Sequence, residues 1–260
     1  MPERLLEGKV GLIVGVANDR SYAWHIAKAI TDHGGTCAYA HIPGEKNERR
    51  TRKAAEKVTN DPWLFPCDAG SDEDLDKLFE AYQAKFDRMD FLVHSIAFAE
   101  REYLQPGMFA GTPRQAFLQA IDISAYTLAA MADRAKGMMP AGGSIMCMSY
   151  YGAEKVVPGY NVMGVAKSAL ESTARYLAAE LGEHGIRVNS ISGGYLKTLA
   201  SSAVGGTDAF DEHAKTRSPL RRGVEGADVG GTAVYLASDL ASGVTGETIY
   251  VDCGVNTIGV

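Results

Sequence analysis

Short apolar runs alternate with longer stretches of helical spacing along this sequence, and that alternation constrains its fold more than any other feature. Strand-like runs are read at Lys9–Gly15, Thr36–His41, Trp63–Cys67, Phe91–Ser95, Ser144–Ser149, Arg187–Ser192 and Thr248–Val251. Between them apolar residues recur at helical intervals, as in Tyr22, Ile26, Ala29 and Ile30, then Leu75, Leu78, Phe79 and Tyr82. Runs such as VGLIV and SIMCM show little polar alternation, the pattern of strands covered on both faces. The expectation is an α/β fold: a Rossmann-like, doubly wound parallel sheet of about seven strands, with right-handed crossovers and helices on both faces. With no linker or internal repeat in its 260 residues, the chain reads as one domain, 1–260. Only residues 193–219, rich in small and polar side chains, break the rhythm; a loop that long in a compact domain is usually functional, often a lid, and a plain surface connection stays open as a reading.

The charge balance is mild, 26 Lys+Arg against 32 Asp+Glu, a net −6 without long runs of one sign. Nucleic acid needs a concentrated positive field and is not an expected partner. No stretch approaches the roughly 20 apolar residues of a membrane span. The start, MPERLLEGKV, lacks a basic segment followed by an apolar one, so no secretory signal is read. Cys37, Cys67, Cys147 and Cys253 form no CxxC and lie in or beside apolar runs, which fits free thiols in a reducing cytoplasm. The histidines show no metal-ligand spacing and no GxSxG occurs, so neither a metal nor a serine nucleophile is expected.

In an open α/β sheet, ligands bind beyond the carboxyl ends of the strands. The first strand ends at Gly15, and a helix is read from Ser21, a good N-cap whose helix start would attract a pyrophosphate. GxGxxG is absent, so an ordinary capped turn stays open as a reading. The second strand runs out as Ala40-His41-Ile42-Pro43-Gly44, with neither acid nor cation at its tip. The absence of a cation points to NADH, with NADPH open. Asp68, after the third strand, is placed either to accept from an adenine amino group or to cap the next helix.

Tyr160 and Lys167 carry the chemistry. On an α-helix, residues seven apart are separated by about 700°, so they share a face at roughly 10.5 Å along the axis. A protonated lysine near a phenol favours phenolate and can also hydrogen-bond a ribose. The segments GKVGLIVGVAN, FLVHSIAFA and IRVNSISGG, with Asp68 and SYYGAEKVVPGYNVMGVAKSALE, resemble the short-chain dehydrogenase/reductase family, and within it the bacterial enoyl-acyl-carrier-protein reductases. The resemblance runs from about Gly8 to Gly254, and its most specific part is Tyr-x6-Lys. Other members of the family usually have Tyr-x3-Lys and a Ser thirteen residues before the Tyr. Here those two places hold Met163 and Cys147, so the ketone-reductase constellation is missing. Enoyl reduction delivers hydride to Cβ and collects charge on the thioester oxygen, farther away than in ketone reduction. A donor set farther from the lysine is consistent with that reach.

The resemblance implies that Tyr160 stabilises an enolate, that Lys167 holds the nicotinamide ribose, and that Tyr150 lines the substrate site and serves catalysis beside them. It puts Gly15, Ser21, Tyr22, Asp68, Ala69, Ser95, Ile96, Ala97, Lys167 and Leu196 on the cofactor. It puts Ala99, Tyr150, Tyr160, Met163, Tyr195 and Ala200 on the substrate, with 193–219 as the substrate-binding loop. It also implies a homotetramer, an acyl carrier protein bearing enoyl thioesters as partner, and a bacterial cytoplasmic setting. Lys197, Arg221 and Arg222 are candidate cations for the acidic carrier. Two places depart from the usual pattern: Ala97 stands where glycine is common, and Tyr195 where proline is. Two other functions stay open, a 3-ketoacyl or carbonyl reductase and a dinucleotide-sensing module without turnover.

Overall fold

A computed structural model describes residues 4–198, 212 and 215–259. Seven parallel strands among them form one sheet: β1 (Val10–Val14), β2 (Thr36–His41), β3 (Leu64–Pro66), β4 (Phe91–His94), β5 (Gly143–Ser149), β6 (Ile186–Gly193) and β7 (Thr248–Val251). Each lies within one residue of its expected bounds. The order is β3-β2-β1-β4-β5-β6-β7, so the chain reverses direction between β1 and β4. The α-helices among the described residues are α1 (Tyr22–Asp32), α2 (Glu45–Ala55), α3 (Asp72–Lys85), α4 (Arg114–Ile121), α5 (Thr127–Lys136), α6 (Asn161–Leu181) and α7 (Gly226–Ala237). A single π-helical turn, Asp122–Tyr126, joins α4 to α5.

The unbroken apolar runs are explained by two cores, one on each face. Leu12, Val14, Leu92, Ile145 and Cys147 pack under α3, α5 and α6. Ile13, Tyr39, Phe91, Val93, Met146, Met148 and Ile191 pack under α1, α2 and α7. Successive strand residues point to opposite faces, so a strand that is covered twice must be apolar throughout.

One crossover departs from expectation. The steps β4→β5 and β5→β6 run in one direction along the sheet through α5 and α6. The step β6→β7 continues in that direction, yet its helix α7 lies on the opposite face beside α1. Its hand is therefore opposite to theirs, and left-handed where the usual βαβ unit is right-handed. The physical reason is coverage. Without α7, the apolar side chains of Phe91, Val93, Met146, Met148 and Ile191 would lie open on that face, at a cost of about 1.5–3 kcal/mol for each large one. Helix α7 gets close to α1 through Gly226, where a Cβ would come within 2.1 Å of the His25 ring.

At the reversal point β1 and β4 come together tightly. Gly15 has φ +110°, and a Cβ there would sit 2.1 Å from the Ser95 carbonyl oxygen. Gly15→Ala should therefore destabilise the fold by about 2 kcal/mol, lowering the melting midpoint by roughly 4–8 °C. A calorimetric midpoint equal to that of the parent chain would show that the turn adapts freely.

Candidate active site

The connections that leave β1, β4, β5 and β6 at their carboxyl ends converge on one crevice, where a doubly wound sheet binds its ligand. At the start of α1, the Ser21 hydroxyl donates to Asn18 O at 2.8 Å and accepts from Trp24 N at 3.3 Å. No acidic residue occupies the first turn of α1, so its positive end is available to an anion. The turn before it is held from α2: Thr51 Oγ1 donates to Val16 O at 2.7 Å, and Trp24 Nε1 to Ala54 O at 2.8 Å. Tyr22 ties this end of the crevice to the chain leaving β6, its hydroxyl donating to Gly194 O at 2.7 Å.

Past β2, Ile42 is exposed, and the first turn of α2 carries Glu45 and Glu48. Lys46, Arg49 and Arg50 alternate with them on the same helix, so charge of both signs stands beyond β2. The capping alternative for Asp68 falls away, because Ser71 caps α3 by accepting from Asp74 N at 3.2 Å. Asp68 is exposed and accepts from Gly70 N at 3.0 Å. It borders a cleft of about 660 Å³, which Gly70, Ile123 and Tyr126 also line. Ala69 is half-buried against the α3 and α5 core.

Beyond β5, the Tyr150 and Tyr160 rings meet edge to face, centroids 4.9 Å apart at 68°. The 3₁₀ turn Tyr151–Ala153 lies against this pair and α6. Gly152 allows that approach, since a Cβ there would fall 2.4 Å from Cδ1 of Tyr160. Lys167 is buried at 6% exposure, and its Nζ donates to Met148 O at 2.6 Å. Desolvation lowers its pKa to about 8, against weaker raising effects of Cys147 and Glu171. One turn further along α6, Glu171 accepts from the Ser149 hydroxyl at 2.5 Å.

Two expectations about this pair change. Tyr160 is the N-cap of α6 and not a residue within it, and Asn161 has φ +43°, so uniform helical rotation does not connect Tyr160 to Lys167. Nor does the lysine favour phenolate in this fold. Burial raises the Tyr160 pKa well above its ordinary value, and the Tyr150 phenol adds to the effect. Burial likewise pushes Tyr150 up to about 12. Both tyrosines are therefore hydrogen-bond donors at neutral pH.

Ser95, Ile96, Ala97 and Ala99 leave β4 along the crevice, with Ala97 exposed and its methyl outside the core. Met163 is buried with Leu104, Val162 and Ala166, and Ala99 and Tyr160 pack against the same cluster. Leu196 packs on the α1 and α7 core, and Tyr195, partly buried, lies near enough to Tyr150 to affect its titration. Ala200 and most of the 193–219 loop lie outside the described residues. Of the candidate cations, Lys197 is exposed, whereas Arg222 is engaged by Asp228 through bonds of 2.6 and 2.9 Å. Arg221 donates to Thr216 O.

Two residues with no pattern to announce them shape the site. Ser124, fully buried in the π-helical turn, accepts from Phe98 N at 3.1 Å and so fixes the chain leaving β4. Asn161 donates to Tyr103 O and Gln105 O at 2.8 and 2.7 Å. The crevice suits a dinucleotide on its own features. Gly15 lets the turn after β1 close against Ser95 at the floor of the crevice, α1 presents its positive end, and the Ser192 hydroxyl near the end of β6 is buried without a partner.

A family profile described as Enoyl-(Acyl carrier protein) reductase matches residues 15–256. The enoyl-acyl-carrier-protein reductase (NADH) FabI of Synechocystis sp. is 44% identical over 98% of each chain. That of Nostoc sp. is 45% identical, again over 98% of each. The crystal structure of the Bacillus cereus enoyl-acyl carrier protein reductase with NADP+ and indole naphthyridinone superposes with TM-score 0.95 at 44% identity, over 98% of this chain and 99% of that one. The Anaplasma phagocytophilum enzyme in complex with NAD gives 0.94 at 44% identity, over 99% and 97%.

The Lys167 environment makes a signed prediction. Its Nζ is cationic below about pH 8 and neutral above, so NADH affinity should weaken several-fold between pH 7 and 9 in fluorescence titrations. Deprotonation of this lysine does not itself unfold the chain. The unfolded chain keeps this proton up to about 10.5, so between 8 and 10.5 this group makes the fold more stable as pH rises. Lys167→Met should bind NADH weakly with a flat profile. A parent profile that is flat over the same range would remove the lysine from cofactor binding.

Proposed function

The chain belongs to the enoyl-acyl-carrier-protein reductase family, and from that premise we propose how its own residues reduce the trans-2 double bond of enoyl-acyl-carrier-protein thioesters with NADH in type II fatty-acid biosynthesis. The observation that carries the reading is the pair beyond the end of β5: two phenols held protonated by burial, edge to face, with Lys167 buried on α6 and anchored to the Met148 carbonyl of β5. The two places a ketone reductase would use support it further. Cys147 is fully buried, with its sulfur 3.2 Å from Ser190 Oγ and its thiol pushed up to about 11, and Met163 lies in an apolar cluster.

In this reading NADH, when bound, supplies the hydride. Gly15, Ser21, Tyr22, Asp68, Ala69, Ser95, Ile96, Ala97, Lys167 and Leu196 hold it along the crevice. The Tyr160 hydroxyl donates to the thioester oxygen, where negative charge collects as Cβ is reduced. A donor already desolvated and oriented there gains strength as that charge develops. Tyr150 buttresses the Tyr160 ring and lines the acyl site with Ala99, Met163, Tyr195 and Ala200. Cα then takes its proton from solvent or a relay.

The chain works as one domain, 1–260, on an acyl carrier protein in the bacterial cytoplasm, where four buried thiols stay reduced. It assembles as a homotetramer, which would cover exposed apolar side chains such as Leu118, Tyr126 and Tyr176. No helix among the described residues is long and apolar enough to cross a membrane.

The test supplies crotonyl and acetoacetyl thioesters in parallel with NADH. The parent enzyme should oxidise NADH only with the enoyl thioester. Tyr160→Phe should lower that turnover by about a hundredfold while NADH affinity changes less than twofold. Oxidation with the ketoester alone would make the protein a ketoreductase. Tight NADH binding without turnover on either would make it a sensing module.

A further inference from the structure

The residue that follows Tyr160 has an unusual place. Asn161 opens α6 with φ +43°, a left-handed conformation that few residues other than glycine adopt. The conformation aims the side-chain amide away from the helix, and its Nδ2 donates at 2.8 Å to Tyr103 O and at 2.7 Å to Gln105 O. Both protons of one amide group are thus used on two backbone carbonyls about sixty residues back in the chain. The segment it grips is the return of the chain after β4. This includes the 3₁₀ turn Arg101–Tyr103 and then Leu104, which is buried at 3% exposure against Met163 and Val162. Ala99 and Tyr160 pack against that same cluster.

We propose that Asn161 is a positioning residue, a latch that locks the wall formed by residues 99–105 to the first turn of α6 and so sets where the Tyr160 hydroxyl stands relative to the acyl thioester. The proposal rests on the reading of Tyr160 as the donor to the thioester oxygen. Tyr160 itself is outside the regular helix, so its ring is placed by what surrounds it: Gly152 beneath, Tyr150 at its edge, and the latched segment beside it. Apolar packing of Leu104 on Val162 and Met163 holds the wall near the donor, and the two latch bonds fix its exact register. A displacement on the order of 1 Å at a reacting group can cost about a hundredfold in rate.

Two substitutions separate the latch from the backbone conformation. Asn161→Gly keeps the left-handed conformation at no steric cost and removes both bonds. Asn161→Asp also tolerates that conformation, but it sets a carboxylate against two carbonyl oxygens. With crotonyl thioester and NADH, kcat should fall at least about tenfold in Asn161→Gly and further in Asn161→Asp, while NADH affinity stays within twofold of the parent. A merely structural residue would not give that split. The second reading is a double-mutant cycle with Tyr160→Phe. If the latch acts through the phenol, Asn161→Gly should slow Tyr160→Phe by less than about twofold further.

Asn161→Gly with parent kcat, or Asn161→Asp as active as the parent, would overturn the proposal while leaving the Tyr160 reading intact. Loss of NADH binding or of the folded state in Asn161→Gly would also overturn it, making the residue structural, and so would a full additional loss in the Tyr160→Phe background. Undiminished turnover in Tyr160→Phe alone would instead remove the reading on which the latch depends.

Discussion

The sheet has to be covered twice, and the rest of the architecture follows from how the second covering is achieved. Helices α3, α5 and α6 close one face, and α1 and α2 close the other only over β1 to β3. The remaining apolar side chains, from Phe91 to Ile191, are covered because the last crossover takes the opposite hand and brings α7 back beside α1. The preference for right-handed connections is strong but local, and burying several large side chains outweighs it. The same connection carries the chain leaving β6 past the mouth of the crevice, where the Tyr22 hydroxyl holds Gly194. Covering the core and walling the site are thus done by one stretch of backbone.

Desolvation then decides which protonation states the site uses. Water stabilises charge, so burial drives a phenol toward its neutral form and an ammonium toward its neutral form as well. Tyr160 and Lys167 feel the same force with opposite consequences for their protons: the tyrosine keeps its proton over a wider pH range, while the lysine keeps its charge only up to about pH 8. The Met148 carbonyl anchors the lysine without neutralising it, leaving its two other protons for a ligand. Glu171, the nearest carboxylate along the helix, has its own pKa raised by burial and accepts from Ser149. It therefore counters the lysine's desolvation only weakly.

The fold was legible because burial on two faces leaves a plain mark, unbroken apolar runs of strand length, and all seven strands lie within one residue of where those runs put them. The N-cap at Ser21 was legible for the same local reason. Tyr160, Lys167, Cys147 and Met163 were readable as residue types at a spacing. What was not readable is what depends on meetings between distant segments. The hand of the last crossover is set by which face needs covering. Ser124 matters because a π-helical turn points it at Phe98 N, and Asn161 because a left-handed residue aims it at Tyr103 and Gln105. Neither serine nor asparagine carries a periodic signal that would have revealed this.

The spacing of the tyrosine from the lysine takes on a different meaning in this light. Counting turns of a helix assumes that Tyr160 is in the helix, and Asn161 shows that it is not. A phenol four residues before Lys167 would take the place of Met163, inside α6, with its direction fixed by the helix and its surroundings already filled by Leu104, Val162 and Ala166. A phenol seven residues before it stands at the cap, where the turn Tyr151–Ala153 and the segment gripped by Asn161 set its position instead. The longer spacing therefore does more than add reach along an axis. Under the proposed role of Tyr160, it transfers control of the donor from the helix that carries the lysine to the loops around residues 99–105 and 151–153, so the donor would be set toward the thioester oxygen without moving the lysine.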